Sequence, residues 1–105
     1  MIDATALTEE LRRFAGARDW ERFHSPKNLA MALSVEAAEL VELFQWQTEE
    51  ESRAVKDDLV ARSAAADEIA DIVIYAVRIA DKLGIDVGAA IEAKLVKNAR
   101  KYPAG

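Results

Sequence analysis

Only six residues of this 105-residue chain are glycine or proline: Gly16, Pro26, Gly84, Gly88, Pro103 and Gly105. They leave long uninterrupted segments, and within these the apolar residues recur with a helical period rather than alternating. Thr5 or Thr8 is placed to cap a first helix with Leu7, Leu11 and Phe14 on its buried line, ending near Gly16. Ser25-Pro26 reads as an N-cap with proline at the first helical position, opening a second helix that runs to about Trp46. The polar stretch QTEEESRAVKDD (47–58) is either a loop or the exposed start of a third helix, which carries Ala61 to Leu83 and stops at Gly84. Asp86 is the N-cap of a fourth helix through about Lys101, ending before Pro103. No strand pattern or internal repeat appears. The expected class is all-α, in a single domain spanning 1–105.

The second helix contains an anomaly. In SVEAAELVELFQW (34–46), projection at the helical angle puts Glu36 and Glu39 on the same side as Leu29, Ala32, Leu33, Leu40 and Leu43. The third helix repeats it: in ADEIADIVIY (66–75), Glu68 and Asp71 share a line with Ala61, Ala64, Ile72, Tyr75 and Ile79. If those faces pack together, four carboxylates converge in a partly desolvated space. Burying one unpaired carboxylate costs several kcal/mol, and clustering adds repulsion. Something positive must offset it.

Composition narrows what that can be. The chain has no cysteine and one histidine, so an oxygen-only ligand set favours a hard divalent cation, Mg²⁺ or Mn²⁺. The i, i+3 spacing lets both carboxylates of a pair reach the same point beside the helix. Glu42, Glu49, Glu50 and Glu51 lie off the stripe or in the polar connection and read as solvated. On the fourth helix, Lys94 and Asn98 share a line with Val87, Ala90, Ile91 and Leu95, where they could donate to phosphate or sugar oxygens. The formal charge of −5 and a pI near 4.9 argue against a nucleic-acid partner. The N-terminus lacks an apolar signal core, and uncharged runs such as Ile72 to Val77 are too short to span a bilayer. The expected location is cytoplasmic, with no membrane contact.

In this order, RDWERFHSPKNL (18–29), EAAELVELFQW (36–46), DEIADIVIY (67–75) and KLVKNARKYP (94–103) resemble the motifs of the MazG-like all-α nucleotide pyrophosphohydrolases. The first of them is similar to the dCTP pyrophosphatase branch. The likeness covers residues 7 to 103. It implies a helical bundle completed by a second subunit, as a homo-oligomer (dimer or tetramer). It also implies hydrolysis of a nucleoside triphosphate between the α- and β-phosphates. Carried over residue by residue, it makes Glu36, Glu39, Glu68 and Asp71 Mg²⁺ ligands. It puts base and sugar contacts at Trp20 to His24, Trp46 and Tyr75, and sets Lys94 and Asn98 near the phosphates. One departure stands out: Leu11 occupies the position where that branch carries a base-contacting histidine on the first helix.

The residues are consistent with that chemistry. A triphosphate brings negative charge to a negative site, so bridging cations are required. A carboxylate not saturated by metal can accept a proton from the attacking water, and Glu39 is the choice for this catalytic role. Trp20, Trp46 and Tyr75 offer stacking faces for a base. Two rival readings exist. Glu21 and His24 form one E-x-x-H, but a di-iron site needs two. A non-catalytic helical module that binds partners would explain the apolar stripes but not the acids within them.

Overall fold

The computed structural model describes residues 2–105, and among these the regular structure is entirely helical. The α-helices are α1 (Ala4–Ala17), α2 (Pro26–Phe44), α3 (Glu49–Ala54), α4 (Leu59–Lys82) and α5 (Val87–Lys101), with 3₁₀ turns at Glu21–Phe23 and Val55–Asp57. Each α-helix starts with a side chain satisfying its otherwise unpaired N–H groups. Ser25 caps α2 ahead of Pro26, and Asp86 caps α5, as the sequence predicts. For α1 the cap is Asp3, whose carboxylate accepts from the Ala6 N–H. Thr8 instead turns its hydroxyl back to the Ala4 carbonyl. The polar stretch is neither a plain loop nor the start of α4. Thr48 and Glu51 form a reciprocal capping box that nucleates the six-residue α3, and Asp58 then caps α4 separately.

Two helix ends show how backbone conformation steers the chain. At the end of α4, the Ile85 N–H reaches the Ala80 carbonyl and the Gly84 N–H reaches Asp81, with Gly84 at φ 66°. This is the left-handed glycine stop expected there. The same double bond closes α1, but the left-handed residue is Asp19, at φ 56°. So α1 runs past Gly16, and the Asp19 reversal lays Trp20 edge-on against Phe14, ring centroids 5.6 Å apart.

The core is the α2–α4 pair, with α1 packed on α4. Leu29, Ala65, Val77 and Ala80 are buried along it, with Ala15 contributed by α1. Of these only Leu29 lies on a predicted stripe; Ala65, Val77 and Ala80 lie off the acidic line of α4, whose Ile72, Tyr75 and Ile79 are half-buried. By contrast, α5 buries none of its residues and packs only lightly on the rest. Ile91, Leu95 and Val96 are all more than half exposed. A folded monomer of 11.6 kDa should expose roughly 5,800 Å², whereas this chain exposes 8102 Å². Its radius of gyration is 16.4 Å, against about 13 Å for a compact domain of this length. The single chain is an open arrangement of helices. No helix among the described residues is long and apolar enough to cross a membrane.

Candidate metal centre and adjoining pocket

Glu36 and Glu39, one turn apart on α2, meet Glu68 on α4, so that one carboxylate oxygen from each lies within 4.8 Å of the others. Glu36 and Glu68 are half-buried and Glu39 is exposed. Their mutual proximity has an electrostatic cost. The Glu36 carboxyl is pushed up by its neighbour Glu68 and by partial burial, with the Asp71 charge adding to it. The Glu39 carboxyl is raised in turn by Glu36. One oxygen of Glu68, Oε2, is fully buried and has no hydrogen-bond partner. A buried acceptor is nearly always satisfied in a native protein, so this orphan asks for a positive group. Oxygen donors at this spacing, with an unpartnered one among them, fit a hard divalent cation.

Asp71, the fourth predicted ligand, is not in that group of three. It sits one turn beyond Glu68 on α4 and lines an adjoining cavity of about 330 Å³. Leu11, Phe14 and Ala15 of α1, Trp20 and His24 of the connection, and Ile74, Tyr75 and Arg78 of α4 complete its walls. The cavity joins the carboxylates because Asp71 belongs to both surroundings: it faces the pocket, and its charge reaches Glu36. Its lining is mainly apolar with a few polar groups, the usual make-up of a small-molecule site.

Three predicted substrate residues, Trp20, His24 and Tyr75, therefore come together, as do the three glutamates. The other three stand apart. Trp46 follows the end of α2 and is 89% exposed. Lys94 is exposed and Asn98 half-buried on α5, the helix that barely touches the rest of the chain.

Sequence reasoning missed Arg78. It is 3% exposed, yet it carries a guanidinium. Two carboxylates hold it: Glu21 Oε1 accepts from NH2 at 2.8 Å, and Asp81 Oδ2 accepts from NH1 at 3.2 Å. NH2 also lies 3.3 Å from His24 Nδ1. Arg12 forks onto Asp81 from α1, with Nε at 2.9 Å from Oδ2, and Lys82 pairs with Glu21. Lys82 first, then Arg78, holds the Glu21 carboxyl below its ordinary range, and Arg12 does the same for Asp81. A signal was present. Arg78 is the lone charge in IVIYAVRIA (72–80), seven residues beyond Asp71 and three beyond Tyr75, hence on the same helix face.

The MazG-like family model matches residues 31–105. The chain is 42% identical over 99 residues to a protein named dCTP pyrophosphatase 1 from Bos taurus, covering 90% of this chain and 59% of that one. It is 42% identical over 100 residues to dCTP pyrophosphatase 1 of Homo sapiens, covering 91% and 59%. It thus spans about three-fifths of the length of these relatives. The crystal structure of a pyrophosphatase from Archaeoglobus fulgidus superposes with a TM-score of 0.84 at 38% identity, covering 95% of this chain and 92% of that one.

Proposed function

The chain belongs to the MazG-like family, and from that premise we propose that it is a divalent-metal-dependent nucleoside triphosphate pyrophosphohydrolase. Its substrate is dCTP or a modified dCTP, split between the α- and β-phosphates into the monophosphate and pyrophosphate. The observation that carries this reading is the buried, unpartnered Oε2 of Glu68 within a three-carboxylate cluster, with Asp71 one turn along α4 lining an aromatic cavity. A helical partner-binding module has no use for such an atom. The names of the relatives, dCTP pyrophosphatase 1 and pyrophosphatase, support the reaction class.

Glu36, Glu39 and Glu68 hold the cation, Mg²⁺ or Mn²⁺, with Asp71 beside them. When bound, the ion neutralises phosphate charge and acidifies the attacking water. The residues do the rest. Trp20 and Tyr75 flank the base by stacking, which is tolerant of base identity. His24 and the Tyr75 hydroxyl supply the polar edge that discriminates among bases. Glu39 is the most exposed of the three glutamates, which makes it the group to accept the water's proton. Lys94 and Asn98 lie on a helix with little intrachain packing. They reach a phosphate chain only when α5 is docked, and docking against a second subunit of a two-fold homo-oligomer provides that. A free nucleotide substrate suits the cytoplasm.

The test is a panel of nucleoside triphosphates assayed with Mg²⁺ for pyrophosphate and monophosphate. Pyrophosphate release led by cytosine deoxynucleotides is expected. Release of orthophosphate instead, or no hydrolysis of any triphosphate, overturns the reading.

A further inference from the structure

Arg78 plays no part in metal binding or stacking, yet it is the most buried charged residue of the pocket wall and sits against the chain's single histidine. An arginine has only donors, so across the 3.3 Å contact His24 Nδ1 must be the acceptor. That assignment forces the remaining proton of the neutral ring onto Nε2. We infer that Arg78 is a positioning residue for base recognition: held by Glu21 and Asp81, it locks His24 as the Nε2–H tautomer. The pocket then offers a fixed hydrogen-bond donor to a base edge carrying an acceptor, a carbonyl oxygen or an unprotonated ring nitrogen. This deepens the nucleotide reading above and rests on it.

The geometry gives the device rigidity. Arg78 is anchored from two directions, by Glu21 in the connection and by Asp81 one turn along α4. Each anchor has a second cation, Lys82 for Glu21 and Arg12 for Asp81. The pair of carboxylates therefore stays compensated even without Arg78. His24 also meets the Trp20 ring, centroids 6.1 Å apart, so the ring bearing the donor is held beside a stacking face. Burial, together with the Arg78 charge, lowers the tendency of His24 to take a second proton. A hydrogen bond that is absent from a wrong base leaves a polar group unpaired, and this is how such a donor discriminates.

The single histidine makes the test direct. Two-bond ¹H–¹⁵N correlation on the ¹⁵N-labelled full chain reports which ring nitrogen carries the proton. The expected spectrum at neutral pH has Nδ1 unprotonated and Nε2 protonated, with the Nε2 signal moving on addition of dCMP. An Nδ1–H tautomer, or a mixture, in the wild-type protein overturns the inference without any variant having to fold. Arg78→Met should then show mixed tautomers. Its KM for dCTP should rise by the reciprocal of the remaining Nε2–H fraction, about two- to threefold for a near-even mixture, with kcat little changed and a flatter choice among the four dNTPs. Arg78→Lys, which keeps a charge and a donor, should recover part of both. A purely structural role would lower the melting temperature but leave tautomer and KM unchanged, and that result also overturns it. If no triphosphate is hydrolysed while the Nε2–H tautomer and the dCMP response are present, the assigned reaction fails and the Arg78–His24 device stands.

Discussion

Glu36 on α2 and Glu68 on α4 bring carboxylate oxygens within 4.8 Å of each other across the helix pair that forms the core. The contact is repulsive in the metal-free chain, and the raised Glu36 carboxyl records it. Glu36→Gln should therefore leave the metal-free protein as stable as the wild type or more so. It should also remove the thermal stabilisation by Mg²⁺, which for the wild type reaches about 2.7 kcal/mol at ~100 times the dissociation constant. Turnover should vanish in excess EDTA and return with Mg²⁺ or Mn²⁺. Thermal melts with and without the ion check both halves. A clear loss of metal-free stability in Glu36→Gln would make Glu36 a member of a structural ion pair instead.

Leu11 lines the cavity together with Trp20, His24 and Tyr75. It adds no polar group to that wall, so discrimination falls on fewer contacts. Leu11→His should raise kcat/KM for dCTP relative to the other three dNTPs by about tenfold, if its ring gains one good hydrogen bond to the base. An unchanged profile would assign base reading to the Trp20–His24 segment alone.

Apolar exposure on α5 predicts assembly. With Leu95 62% exposed on a helix that buries nothing, a lone chain leaves apolar surface uncovered. Light scattering should find a homo-oligomer at micromolar concentration, and Leu95→Glu should shift it toward monomer while reducing activity. A fully active wild-type monomer would refute the arrangement.

The polar cluster sets the acid limb of stability. His24 is held below its ordinary value of 6.5 by burial, so folding resists its protonation and stability declines as pH falls from about 6.5. Glu21 and Asp81 are held below 4.5 and 3.8 by their cations. Their contribution is complete above those values and is lost as pH falls through the lower folded-state values. In a Glu36→Gln background, which removes the opposing gain from the raised Glu36 and Glu39 carboxyls, melting temperature should therefore drop in two stages on acidification. His24→Asn should abolish the first stage and keep the second; a first stage that persists in the variant would place its origin elsewhere.

Asp19 holds a left-handed conformation that costs a non-glycine residue roughly 1 kcal/mol or more. Its ion pair with Arg22 is exposed and offsets little of this. Asp19→Gly should raise stability by about 0.5–1 kcal/mol in denaturant titration. A destabilised variant would mean that the Asp19 carboxylate is worth more to the turn than the relieved strain.

Helix existence was legible in the chain because periodicity, caps and stops are local properties. Ser25-Pro26, Asp86 and Gly84 act through bonds to residues at most five positions away, and so the all-α class follows from the sequence. The acidic pairs on α2 and α4 were equally legible, since residues three apart share a helix face whatever surrounds them. Asp19 was not, because glycine is the ordinary residue for that role and Gly16 lay nearby. What only the tertiary structure decided is which faces meet. It joined Glu36 and Glu39 to Glu68 and set Asp71 toward the cavity. It brought Glu21, His24, Arg78 and Asp81 together from the connection and α4, through contacts between residues up to 57 positions apart. No local rule encodes such a meeting, because a helix face specifies what must be buried but not against what.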